Sequence, residues 1–243
     1  MSTETNTVAP DKGDLKTGIT RRMIQVFLQV FIQAAIMFAS AGTLRWRAAW
    51  IFTGVYLLLI AVNASFMLRL NPETVAERGR GTASANMKKW DKIVGLGFAL
   101  FYFAAIFLVA GLDERFGWTG QMATAIPIVA YMVWVLGSAL FGWAMYSNAY
   151  FSTVVRIQDD RGHAVCDRGP YHFVRHPGYV GASIQALTSP LMLGSLWALV
   201  PGALAVLSLA VRTALEDRTL QDELPGYREY AQMVRYRLLP GIW

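Results

Sequence analysis

Cysteine is nearly absent from this chain of 243 residues, which contains only Cys166. A single cysteine excludes a disulfide within the chain and a zinc site built from several cysteines. Histidine is also scarce: the chain has only His163, His172 and His176, and they lack the HExxH spacing of zinc hydrolases. We therefore expect no metal centre.

Charged residues are scarce as well. They make up 16% of the chain against 55% hydrophobic residues, and the mean hydropathy is +0.37, whereas soluble domains carry about 25% charged residues. The apolar residues form runs long enough to cross a bilayer, which predicts an integral membrane protein. The net charge of +6 therefore indicates basic cytoplasmic loops and not nucleic-acid binding.

A signal peptide is not recognisable, because no short apolar core with a small-residue cleavage site follows the polar N-terminal residues. We expect a cytoplasmic tail over residues 1–22 and membrane-spanning helices over residues 23–146. Residues 147–243 are expected to form a part that faces the cytoplasm and carries the function.

Four apolar segments predict four transmembrane helices, at roughly residues 23–44, 50–68, 93–111 and 123–146. A fifth apolar segment, residues 180–211, is too long for one crossing and short for two, at about 1.5 Å per residue. We expect it to be a helical hairpin. The predicted fold is an all-α polytopic membrane bundle of four spans, followed by this hairpin and a cytoplasmic helix.

Local signals support the hairpin. Leu193-Gly194-Ser195, near the middle of the fifth segment, predicts a turn, and Pro201 fits the first turn of a second arm. After Val211 the pattern becomes polar. It predicts a cytoplasmic helix over residues 213–232 that is interrupted at Pro225-Gly226.

Lys and Arg are distributed asymmetrically along the chain. Of the 22, 19 fall in the N-terminal tail, the 69–92 loop, the 147–178 segment or the C-terminal part, and only Arg45, Arg47 and Arg115 fall on the other side. Because cytoplasmic loops are enriched in Lys and Arg, both termini should be cytoplasmic. We expect a multi-pass protein of a cell inner membrane or of the endoplasmic-reticulum type, with its active site facing the cytoplasm.

Two polar features lie outside the C-terminal part. Gln25, Gln29 and Gln33 share one face of the first span, where we expect hydrogen bonds between helices, with the lining of a pocket as the alternative. The 71–92 loop is amphipathic, and we expect its basic residues to contact lipid headgroups.

Residues 169–181 form the densest polar sequence between the apolar segments. Ionisable groups so close to a bilayer usually mark a functional site. Since a hairpin returns the chain to the same side of the membrane, His176 and Tyr179 at its start should face Arg212 and Glu216 at its end. We therefore treat the two ends of the hairpin as one site.

This site suits a charged polar small molecule. Glycine-rich turns and Pro170 expose backbone N–H groups, and Glu216 can hold an ammonium group or a ribose diol. Tyr171 and Tyr179 offer aromatic faces to a sulfonium or an adenine. S-adenosylmethionine (SAM) combines these groups, whereas no Walker motif or strand-linked GxGxxG motif for other nucleotides occurs.

Structural explanations remain open for several of these residues. Arg212 and Glu216 are four residues apart on a helix, where they could form a surface ion pair. Arg175 could anchor the chain at lipid headgroups. No functional role is expected for an exposed His172, a packed Cys166 and a solvated loop at Asp159-Asp160.

The order of motifs over roughly residues 150–240 resembles the isoprenylcysteine carboxyl methyltransferase family of membrane methyltransferases. The shared features are His163 six residues before Gly169, Tyr171, Arg175-His176-Pro177, Tyr179, Gly181, Glu216-Asp217, Gly226-Tyr227 and Arg237-Leu238-Leu239-Pro240.

The resemblance implies SAM-dependent methylation, at the bilayer, of a lipophilic or small acceptor such as an isoprenylcysteine carboxylate. It implies that the cofactor is bound by Gln158, His163, Val165, Gly169, Pro170, Tyr171, His176, Tyr179 and Glu216. The implied catalytic residues are Arg175, Arg212 and Glu216, which would orient the cofactor or an acidic acceptor. Sterol-type membrane reductases resemble the same region and bind NADPH, and a scaffold or transporter without catalysis is the third possibility.

Overall fold

The structure is a computed structural model that describes residues 12–81 and 86–243. Within these residues the fold is all-α, and no β-strand occurs. The helices are α1 (Lys12–Ala41), α2 (Arg47–Leu70), α3 (Pro72–Arg80), α4 (Lys89–Leu100), α5 (Ile106–Phe116), α6 (Ala125–Ser147), α7 (Pro177–Met192), α8 (Leu199–Glu223) and α9 (Tyr227–Met233). A π-helical segment, Phe101–Ala105, joins α4 to α5 without a break.

Within residues 12–81 and 86–243, five helical segments are long and apolar enough to cross a membrane: Gly13–Ala41, Arg47–Leu70, Lys89–Phe116, Ala125–Ser147 and Leu199–Glu223. The first four confirm the predicted spans, and the fifth contains the second arm of the predicted hairpin. The protein is therefore a multi-pass membrane protein. The predicted N-terminal tail differs in part, because residues 1–11 lie outside the described residues and residues 12–22 are already helical.

The hairpin turns where its sequence predicts. Helix α7 ends at Met192, and Gly194 has φ +79°, a left-handed conformation that favours glycine. With 16 residues, α7 is about 24 Å long, shorter than the roughly 30 Å hydrocarbon core. Helix α8 does not stop at Val211, so the helix predicted over residues 213–232 is its continuation up to Glu223, followed by α9.

Glycines allow α6 and α7 to pack closely. A Cβ on Gly181 would lie 2.6 Å from the carbonyl oxygen of Gly137, and a Cβ on Gly137 would lie 2.7 Å from the side chain of Ile184. Small residues at such contacts let membrane helices approach closely. This contact holds the N-terminal half of α7 against the middle of α6.

The predicted interfacial loop is instead largely packed within the protein. Helix α3 buries Thr74, Val75, Ala76, Glu77 and Gly79, and it lies against α1. Arg80 pairs with Glu77 at 3.3 Å, and Lys88 pairs with Glu223 at 2.6 Å. These two basic groups therefore have partners within the chain, and their contact with lipid headgroups stays a prediction.

The glutamine stripe of α1 forms hydrogen bonds between helices, as predicted. Gln25 Nε2 donates to the Gly79 carbonyl of α3 at 3.0 Å, and Gln29 Nε2 donates to the Tyr56 hydroxyl of α2 at 2.8 Å. Gln33 is buried, and its Oε1 has no hydrogen-bond partner among the described residues.

Candidate active site

A cavity opens where the hairpin ends meet the 148–166 segment. Its volume, including the open solvent at its mouth, is about 780 Å³. Every lining residue lies between Asn148 and Tyr230. Eight predicted site residues contribute to it: Gln158, His163, Val165, Tyr171, Arg175, His176, Tyr179 and Glu216. We call it the hairpin cavity.

Three predicted site residues are not in this lining. Gly169 has φ +57° and packs so tightly on Ser147 that a Cβ would not fit, so it shapes a turn. Pro170 is buried in the same 3₁₀ turn, Gly169–His172. The Arg212 guanidinium donates hydrogen bonds to Asp91 and to the Thr153 carbonyl, outside the lining. His172 is exposed, as expected.

The two ends of the hairpin meet at Tyr179 and Glu216. The Tyr179 hydroxyl donates a hydrogen bond to the Glu216 carboxylate, and both residues line the cavity. This contact agrees with the argument that a hairpin brings its ends together. The ring of Tyr179 packs parallel to that of His176, with their centroids 5.6 Å apart.

Arg212 does not pair with Glu216. Its Nε and Nη2 donate to Asp91 of α4 at 2.8 and 3.0 Å, and Nη2 also donates to the Thr153 carbonyl at 2.9 Å. The surface ion pair that the i, i+4 spacing allows is therefore not formed. Glu216 has no cation within 4.0 Å among the described residues, so its negative charge faces the cavity without a counter-ion.

Arg175 is buried and does not anchor at headgroups. Its Nε and Nη2 donate to the two carboxylate oxygens of Asp217 at 2.7 and 3.0 Å. Its Nη1 donates to the carbonyls of Val234 and Arg235 at 2.8 and 3.0 Å. Such a bidentate pair fixes geometry strongly. Arg175 therefore ties the start of α7 to α8 and to the C-terminal segment.

His176 contributes a polar atom without a partner. It precedes the first residue of α7, and its Nε2 lies 3.5 Å from Oδ1 of the buried Asp217 and has no assigned hydrogen bond among the described residues. Buried polar atoms are nearly always hydrogen-bonded in proteins. The nearest charged group to this nitrogen is therefore the Asp217 carboxylate, next to the wall of the cavity.

The 150–163 segment is organised internally. The Gln158 side chain donates to the Tyr150 carbonyl at 2.7 Å and accepts from Arg161 at 2.6 Å, so it is fully engaged within the protein. His163 Nδ1 accepts the Gln158 backbone N–H at 3.3 Å. Burial and the positive charges of Arg156 and Arg161 lower the pKa of His163 to about 4. His163 is therefore neutral near pH 7.

Aromatic residues that the sequence did not assign to the site complete the cavity. Tyr150, Phe151, Tyr227 and Tyr230 line it, together with Leu220 and Leu224. Burial raises the pKa of Tyr171, Tyr227 and Tyr230, so these phenols stay protonated. One sequence feature could have identified two of these lining residues: Tyr227 and Tyr230 follow Gly226 with a spacing of three, which places them on one face of a short helix.

The second cavity arginine is neutralised in the same way as Arg175. Arg156 pairs with the buried Glu77 at 2.9 Å and with Asp160 at 2.7 Å. Asp160, which was expected to belong to a solvated loop, is thus an ion-pair partner although its side chain is half exposed. The wall therefore contains two arginines that already have carboxylates and one carboxylate without a cation.

Comparison with protein families agrees with the resemblance found in the sequence. Residues 129–222 match the model of the isoprenylcysteine carboxyl methyltransferase (ICMT) family. The matched segment includes most of α6, all of α7, nearly all of α8 and the cavity residues up to Leu220. No curated protein matches the chain.

Proposed function

We propose that this protein is an integral membrane methyltransferase that uses SAM and methylates a lipophilic acceptor. The match to a methyltransferase family supports the reaction class. The charge distribution of the hairpin cavity supports the cofactor. Glu216 has no cation within 4.0 Å in the described part of the chain, while both cavity arginines are paired with carboxylates, so the wall favours a cationic ligand.

The residues present fit such a ligand. SAM, when bound, supplies a methyl group on a positively charged sulfur and carries an ammonium group. Glu216 can attract either cation, and His176 Nε2 lacks a partner that a ligand atom would provide. Tyr171, Tyr227 and Tyr230 line the cavity, and aromatic rings attract cations and stack on planar bases.

The same charges argue against the NADPH-dependent reductase. A cofactor with several phosphates needs free cationic groups within the cavity, and the two arginines that line it, Arg156 and Arg175, are both paired. Arg175 and Arg212, predicted to orient ligands, are better described as positioning residues, because each holds a carboxylate of α8 or α4. Glu216 remains the one predicted catalytic residue whose charged atoms face the cavity.

The chain's own groups then do two things during transfer. With SAM bound, Glu216 would attract its positive charge, and the aromatic wall would limit water at the reacting centre. An anionic acceptor, such as a carboxylate or thiolate, needs only positioning. An amine acceptor needs a base, and Glu216 or His176 are the candidates. We place residues 147–243 and this site on the cytoplasmic side, on the Lys/Arg asymmetry.

The test compares a charged with a neutral ligand. Glu216→Gln should weaken SAM binding about tenfold or more, equal to about 1.4 kcal/mol, and weaken S-adenosylhomocysteine less, because that product lacks the sulfonium charge. Asp222→Asn is the matched control, since Asp222 lies on the same helix with an exposed side chain. Equal SAM affinities in wild type and Glu216→Gln would remove Glu216 from the site.

A further inference from the structure

Among the arginines of residues 12–81 and 86–243 that are not exposed, two have no carboxylate partner. Arg156, Arg161, Arg175, Arg212 and Arg237 are not exposed, and each has a carboxylate within 4.0 Å. Arg22 and Arg78 are also not exposed, but within these ranges neither has a carboxylate at that distance. A guanidinium partly withdrawn from water needs a counter-charge.

The backbones that carry these two arginines touch. Gly79 follows Arg78, and a Cβ on Gly79 would overlap the Gly18 carbonyl oxygen and lie 3.1 Å from the Arg22 backbone nitrogen. Gln25, one turn further along α1, donates to the Gly79 carbonyl. Burial and the positive charges of Arg22 and Arg212 lower the pKa of Arg78 well below its usual range. An anion arriving there would relieve this repulsion.

One aromatic ring separates Arg78 from the hairpin cavity. The Arg78 guanidinium carbon lies 5.2 Å from the ring centroid of Phe151 and 5.8 Å from that of Phe141. Phe151 lines the cavity and packs on Gly178, where a Cβ would lie 2.7 Å from its ring. A molecule bound at Arg78 is therefore a neighbour of the cavity without occupying it.

We propose that Arg22 and Arg78 bind a phosphate or carboxylate group of the amphiphilic acceptor, and that this group is distinct from the atom that receives the methyl group. The role as an acceptor subsite rests on the proposed function. An amphiphile fits because α1 exposes Ile24 and Phe27 beside Arg22, next to the lipid. The aromatic partition requires that the reacting atom be a different part of the same molecule.

The test uses purified protein in an uncharged maltoside detergent, titrated with dodecyl phosphate, dodecanol or inorganic phosphate. Dodecyl phosphate should bind wild type about tenfold or more tightly than either other probe. Arg78→Gln should lose that preference and keep S-adenosylhomocysteine binding. Arg78→Lys should retain part of it, because the charge remains but the guanidinium fork is lost. Arg80→Gln is the control, since Arg80 is on the same helix, exposed and paired with Glu77.

Equal dodecyl phosphate affinities in wild type and Arg78→Gln would overturn the proposal. So would inorganic phosphate that binds as tightly as dodecyl phosphate, or a folded Arg78→Gln that loses S-adenosylhomocysteine binding as well. If Arg78→Gln does not fold, Arg22→Gln takes its place under the same criteria. Wild type that binds dodecyl phosphate through Arg78 but no S-adenosylhomocysteine would support the anion site and refute the proposed function.

Discussion

Replacing Asp217 with asparagine should destabilise the protein strongly. The Asp217 carboxylate is fully buried, and it accepts hydrogen bonds from Arg175, Arg237, Tyr227 and Gln221. An asparagine side chain has nearly the same shape as aspartate but lacks the negative charge that lies between the guanidinium groups of Arg175 and Arg237. Its amide N–H₂ group would also face hydrogen-bond donors and could not accept from them. Removing one partner of a buried ion pair costs about 3–5 kcal/mol.

The assay is denaturant unfolding in detergent without cofactor, with Asp222→Asn as the exposed control on the same helix. The control should lose no more than about 1 kcal/mol, as is usual for surface pairs. The double variant Asp217→Leu with Arg175→Met should be more stable than Asp217→Asn alone, because it leaves no buried charge of that pair without its partner. A loss below about 1 kcal/mol in Asp217→Asn would refute the reasoning.

Three further outcomes are expected. Gly181→Ala should destabilise the protein by about 1–3 kcal/mol in thermal unfolding, because its methyl group meets backbone of α6, whereas Gly54→Ala, which meets open space, should not. The pKa of His163 is about 4 in the folded protein and about 6.5 in the unfolded chain, so as pH falls the imidazole is protonated in the unfolded chain before it is protonated in the folded protein. Stability should then fall by up to about 3 kcal/mol between pH 6.5 and 4, and a stability–pH curve of His163→Gln should lack that fall. Reporter fusions after Trp243 and within residues 113–120 should give opposite sidedness, and equal sidedness would refute the orientation.

The fold was predictable where the length of an apolar segment and the turn residues within it decide the structure. The spans follow from apolar runs of about 20 residues, and the hairpin follows from a segment too long for one crossing with Gly194 at its middle. The meeting of Tyr179 and Glu216 follows from the same argument. These features depend on the sequence near each element and on the thickness of the bilayer.

Ion pairing was not predictable, because it depends on which helices are neighbours. The sequence offered Arg212 a carboxylate four residues away, yet its partner Asp91 lies 121 residues away on α4. Asp217 ties the start of α7 and the C-terminal segment to α8, and the sequence near it does not reveal these partners. The burial of α3 also depends on a helix contact, at Gly18 and Gly79, that composition does not reveal.

The most direct test of the central claim is calorimetric titration of the purified wild-type protein with S-adenosylhomocysteine and, separately, with NADPH. The account predicts that S-adenosylhomocysteine binds at one site per chain and that NADPH gives no binding signal. Binding of NADPH alone would contradict the account in favour of a reductase. Binding of neither ligand would contradict it in favour of a protein without this chemistry.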